Sequence, residues 1–355
     1  MTTLETNTEL QSAPVAHRSL YIVSPVYDWV FFLLPPLASL LVGALVSGTS
    51  LDTDRFWLAG RRVTWSTMLL GIVVHAHLFA VVARSHLNPD VFPRHKFRFV
   101  VLPIALFVAM MTSMWAVVIA TVVVTFWDVW HSGLQTFGFG RIYDRNQGND
   151  PLVGRTLDII LNFLLYAGPI VSGATMLAHF DKFRLFEDVG VMFFSQIPTA
   201  MASNQRFIAW SVVVGGSVFL IWYVVAYIRL AKQGYKIGFQ KVFLYATTGV
   251  CSIWAWAFNP FGQAFLIMNL FHAFQYLGLV WWSEQRVLVK RLGLERVRSA
   301  KPIAAFVFVI VTLGYGAIAE IVSDNYRALW CIAQIMALMH FFYDGFIWSV
   351  RKKQI

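Results

Sequence analysis

Cysteine is almost absent from this chain. Cys251 and Cys331 are the two in 355 residues, and neither sits in a metal-type spacing. No thiolate metal motif and no disulfide framework can therefore be read here. Charge is scarce as well: Asp, Glu, Lys and Arg make up 13% of the chain against 58% hydrophobic residues. With a mean hydropathy of +0.63, that balance excludes an ordinary soluble domain and indicates a multi-pass helical membrane protein. The first 27 residues lack a basic region followed by a cleavable apolar core, so no signal peptide is expected. No polar stretch is long enough for a separate soluble domain. The longest are 49–63 and 180–207, the latter with an interfacial-helix character in FRLFEDVGVMFFSQIP.

What the chain has instead is apolar runs of near 20 residues, each able to cross a hydrocarbon core of about 30 Å. Ten are read, at 28–48, 64–84, 98–113, 115–138, 156–178, 208–228, 238–258, 261–282, 302–322 and 327–349. The first is expected to serve as a signal anchor kinked at Pro35 and Pro36. The stretch from Phe97 to Phe139 holds two helices only if it turns near Ser113, so eight or nine crossings stay open. The expected fold is all-α, a bundle of about ten helices with both termini cytoplasmic. It comprises a tail at 1–27, one transmembrane domain at 28–350 and a basic tail at 351–355. Under that count, 21 of the 28 Lys and Arg residues fall on one face. The positive-inside rule expects such a bias, and it makes the net charge of +10 a matter of topology. Nucleic-acid binding is not expected, and the inner (plasma) membrane is the expected location.

Within the apolar runs lie histidines, and ionisable groups at that depth carry function by default. They are His75 or His77, His131, His272 and His340. Each precedes a basic residue by a similar interval: His75 by nine residues, His131 by ten and His340 by eleven. His272 lies fourteen before Arg286 and twelve before Glu284. At about 1.5 Å per residue all four sit roughly 14–21 Å below one boundary. Their helices all run in the same direction, so the four can meet in one cavity. A lone intramembrane histidine more often bonds a neighbouring helix; the matched depth of four is what argues for a site. His75 and His77 point about 200° apart, and the pattern does not choose between them.

Polar companions share these faces. Asp128, His131 and Gln135 form one set; Asn269, His272, Gln275 and Tyr276 another; His340, Tyr343 and Asp344 a third. Metal-bound imidazole needs its second nitrogen held by such groups. The expected metal set is thus His75 or His77, His131, His272 and His340 with Asp128 and Asp344. Gln135, Asn269 and Gln275 are expected to hold the bound group in place, and Tyr276 and Tyr343 to serve catalysis. His86 and His95 are read as solvated loop residues, and Arg141, Tyr143 and Asp144 as a turn above the cavity. A weak echo among HSGLQTFGFGR, HAFQYLGLVWWSEQR and HFFYDGFIWSVR fits either a repeat or shared helix-end chemistry.

A polytopic bundle with dispersed intramembrane histidines resembles the Brp/Blh group of bacterial membrane carotene dioxygenases. It is also similar in style to membrane desaturases, whose clustered histidine boxes are absent here. The resemblance lies in architecture and histidine placement, and it implies a histidine-bound iron. The residues themselves suit a non-haem metal oxidase or oxygenase, with iron first and zinc second. Its substrate would be a lipid or isoprenoid reaching the site from the membrane, with an electron donor as partner. Two alternatives stand beside it: a proton-coupled transporter or channel, and a haem-binding electron carrier.

Overall fold

The computed structural model describes residues 19–173, 175–181, 183, 186, 192–322 and 326–348. The fold is all-α apart from one small hairpin, and a helix lies at each of the ten expected positions. Six helices are long and apolar enough to cross a membrane: Trp65–Ser85, Met114–Asn146, Gln205–Lys232, Phe261–Arg291, Ala300–Val322 and Arg327–Ile347. A seventh candidate is the pair Pro25–Leu33 and Pro35–Val46, bent by 48°. The bend has a covalent cause. Pro35 and Pro36 lack the N–H needed to continue the preceding turns, so they restart the helix at its first positions.

The break expected near Ser113 falls on that residue. Its backbone is extended, and its side chain accepts from the Ala116 N–H to start the 33-residue helix Met114–Asn146. The helix before it, Phe97–Thr112, is short. The run expected at 156–178 ends early, at Ser172. The next residue, Gly173, packs so closely that a Cβ there would lie 2.5 Å from the Ala257 backbone. Segment 49–63 supplies the exception to helix, an antiparallel pair of Arg55–Leu58 and Arg61–Thr64. Its two-residue turn, Ala59–Gly60, has positive φ at both positions, as a type I′ hairpin requires. The expected interfacial helix in 180–207 lies partly outside the described residues; within them, Met192–Ser203 is helical. The basic tail 351–355 and most of the tail 1–27 lie outside them entirely.

Packing centres on Trp65–Ser85, which lies between Phe261–Arg291 and Ala300–Val322. Gly316 lets the last of these approach closely: a Cβ there would collide with the Ile72 carbonyl. Such small-residue contacts are how helices associate where apolar burial gives no drive. Gln205–Lys232 is the opposite case. It is apolar all round, and of its residues only Tyr227 is buried, the pattern of a helix facing lipid.

At one end of the bundle an ion network ties four helices together. Arg141 Nη1 donates to Asp144 at 2.7 Å and Asp158 at 2.8 Å. Lys241 Nζ reaches the same two carboxylates at 2.7 Å each. Tyr223 and Tyr227 donate to the other oxygen of Asp158. In the following loop, burial and the Asp144 carboxylate push the Tyr235 phenol above its ordinary pKa. Two cations balance two anions, so no net charge is buried. The stretch read as a turn above the cavity is thus the buried last turns of a helix. Lys241→Met should lower stability by about 3–5 kcal/mol, because it leaves a carboxylate uncompensated. Thermal unfolding in detergent checks this, and adding Asp144→Asn should recover part of the loss.

Candidate metal centre

Four helices each deliver one imidazole to the middle of the bundle. His77 comes from Trp65–Ser85, whose start is fixed by a Thr64–Thr67 capping box. His131, His272 and His340 come from Met114–Asn146, Phe261–Arg291 and Arg327–Ile347. All four are buried. The rings pack edge to face, with centroids 5.2 Å apart for His77–His272 and 5.1 Å for His77–His340. His131 lies 5.2 Å from His272 and 4.8 Å from His340.

Ligand-capable atoms fall into two overlapping groups, each with all its atoms within 4.8 Å: His77, His272 and His340, and His131, His340 and Asp344. His340 belongs to both. Its Nδ1 lies 3.3 Å from the Leu78 carbonyl and its Nε2 3.1 Å from Nε2 of His131. The carbonyl fixes the Nδ1–H tautomer and leaves Nε2 turned inward. Among the described residues the ring nitrogens of His272 have no hydrogen-bond partner, and His77 has only the backbone of Val73 and Val74 on its own helix near it. A buried polar atom without a partner costs about 1–3 kcal/mol.

Asp344 is held by one oxygen and offers the other. Oδ1 accepts from the Tyr276 hydroxyl at 2.8 Å and from the Trp348 indole N–H at 2.9 Å. Oδ2 faces Nε2 of both His131 and His340, at 3.8 Å each. Behind Trp348, the Arg84 guanidinium lies 4.7 Å above the indole ring. Arg84 also pairs with buried Glu284 at 2.7 Å, and Asn88 donates to the second oxygen of Glu284 at 2.7 Å. A chain of contacts thus runs from the site through Trp348 to the basic end of the bundle. Arg84 and Glu284 served only as boundary markers in the sequence. The signal for Trp348 was its i+4 spacing from Asp344.

Other expected residues go elsewhere. His75 turns away: its Nδ1 meets the Gly71 carbonyl at 2.9 Å and Glu320 at 3.5 Å, and Glu320 pairs with Arg61. Between the two candidates, His77 is the one in the group. Asp128 and Asn269 line a separate recess of about 20 Å³ with Ser132 and Tyr166, while the Asn269 amide caps Phe265 O. Tyr343 donates to the Arg98 carbonyl at 3.3 Å. Gln135 donates to the His272 carbonyl and to Gln275, and Gln275 to Phe32 O. These two amides brace the His272 helix against its neighbours. His86, read as solvated, is half-buried between Ser85 and the Phe99 carbonyl.

No protein-family model, no curated protein and no solved structure matches this chain. By length and composition it is a helical membrane protein.

In protein stripped of metal, His272→Phe should raise thermal stability, since it removes two unpartnered ring nitrogens at similar volume. Melting of chelator-treated protein checks this. A clear loss of stability would show that these nitrogens are satisfied without a metal.

Proposed function

We propose that this chain is a metal-dependent oxidase or oxygenase of the plasma membrane acting on a lipid or isoprenoid. In this reading it has ten crossings, with both termini cytoplasmic. One ion sits among His77, His131, His272, His340 and Asp344. The observation that carries the proposal is the convergence of four buried imidazoles in two overlapping groups that share His340, one of which includes the second oxygen of Asp344. A single ion is favoured over two, because His340 has one free nitrogen and both groups need it. Neutral imidazoles with one carboxylate suit iron, and zinc next.

The chain's own residues have definable tasks. The Leu78 carbonyl orients His340, as outer partners of metal-bound imidazole do. Tyr276 and Trp348 hold Oδ1 of Asp344, so that Oδ2 alone is presented. Tyr276 packs 4.4 Å from the His340 ring and is the proton donor at hand. The rings are buried, with Phe341 packed against His131, a surround that suits an apolar substrate arriving through the membrane. A bound iron would supply oxygen activation, with electrons from a separate donor.

Proton-coupled transport is the second reading. It is favoured by the direct His131–His340 contact and the Tyr276–Asp344 hydrogen bond, which together resemble a relay. Haem has no such support, because His131 and His340 touch with no room for a porphyrin between them.

Metal and haem analysis of the detergent-purified protein tests the proposal. We expect about one iron or zinc per chain, reduced to background in a His131→Ala, His272→Ala double variant. Trp348→Phe keeps the ring but loses the N–H, so it should weaken metal retention about 10–100-fold. A Soret band, or no metal after growth in metal-replete medium, would overturn the reading.

A further inference from the structure

On the flank of the His340 helix is an open apolar cavity of about 440 Å³. Its walls come from Trp65–Ser85, Phe97–Thr112 and Arg327–Ile347, and include Ile104, Phe107, Ile332 and Met336. The cavity follows the last helix from Ile332 to Tyr343, about 16 Å at 1.5 Å per residue. That is half of a hydrocarbon core of about 30 Å, the depth of one leaflet.

Polar groups in the wall are already satisfied. His86 bonds Ser85 through Nδ1 and the Phe99 carbonyl through Nε2. Burial holds its ring below the usual histidine pKa, so it is neutral at pH 7. The Tyr343 hydroxyl is spent on the Arg98 carbonyl. A polar solute would find nothing to bond inside, whereas an alkyl chain needs nothing.

The end marked by His86 and Tyr343 is different. Exposed Arg94, Lys96 and Arg98 lie in the segment that leads into Phe99 of this wall, and no acidic residue occurs from Val91 to Thr112. The Arg98 guanidinium lies 4.9 Å over the Phe346 ring, which keeps it at this rim.

We propose that this groove is a binding site for an anionic phospholipid of the surrounding bilayer. One acyl chain lies along Ile332, Met336, Ile104 and Phe107, and the phosphate head group rests on Arg94, Lys96 and Arg98. Clustered basic residues beside a membrane helix favour anionic head groups. The site rests on the membrane reading alone and is independent of the metal.

The test uses the full chain in phosphatidylcholine vesicles containing phosphatidylglycerol with a photoreactive group on one acyl chain. Labelled residues are mapped by peptide mass spectrometry. Gln205–Lys232, in which only Tyr227 is buried, serves as the reference for bulk lipid contact. We expect the groove residues to be labelled several-fold more than that helix. Unlabelled phosphatidylglycerol should compete, and phosphatidylcholine should not. An Arg94→Gln, Lys96→Gln, Arg98→Gln variant, changed only at exposed side chains, should lose the head-group preference. Met336→Trp should reduce labelling by filling the groove. Labelling no greater than on Gln205–Lys232 would overturn the proposal, as would equal competition by both lipids or cross-linking of the groove to a second copy.

Discussion

A neutral imidazole carries one donor and one acceptor, and in an apolar bundle each must be met from within the protein. This chain buries four such rings against one another. Among the described residues it then gives the His272 ring no partner for either nitrogen, and His77 only the backbone of its own helix. Histidine–histidine contact answers little of that need, since two rings can share only one hydrogen bond. Much of the surrounding structure becomes intelligible from this constraint. The Leu78 carbonyl, the Tyr276 hydroxyl and the Trp348 indole each remove one degree of freedom from a group facing the rings. A cation that takes the remaining lone pairs is the economical solution, and it is the solution we propose.

Polar groups elsewhere in the bundle are handled differently. Arg141, Lys241, Asp144 and Asp158 neutralise one another, and two tyrosines fill the second oxygen of Asp158. Glu284 is held by Arg84 and Asn88. Charge is balanced at these two places, although Arg141 Nε and Asp144 Oδ1 have no hydrogen-bond partner among the described residues. The imidazoles of His77, His131 and His272 lie about two to three turns before these networks on the same helices.

Hydropathy located the helices well, because a membrane crossing is a statement about length and polarity. The kink at Pro35 and the break at Ser113 were also legible, each with a local chemical cause. Site residues were less so, and helical geometry explains the pattern. A residue four places on turns by about 40°, and one three places before by about 60° in the same sense. One three places on turns by about 60° in the opposite sense. Tyr276 and Asp344 are four from their histidines and stay with the group. Asp128, Asn269 and Tyr343 are three away and fall on flanks that meet other helices. His75 and His77 could not be separated, since both positions are apolar-flanked and only the neighbouring Glu320 distinguishes them. Arg84 and Glu284 act through contacts between helices, which no spacing along one helix reveals, whereas Trp348 is four residues on from Asp344.

X-ray absorption at the metal edge of the purified protein tests the central claim most directly, because it reads the ligands themselves. The account predicts imidazole scattering from four nitrogens, with one further oxygen, at about 2.0–2.2 Å. It further predicts that the oxygen contribution weakens in Asp344→Asn while the imidazoles remain. A metal with no imidazole scattering, or one whose spectrum is unchanged in His272→Ala, would contradict it.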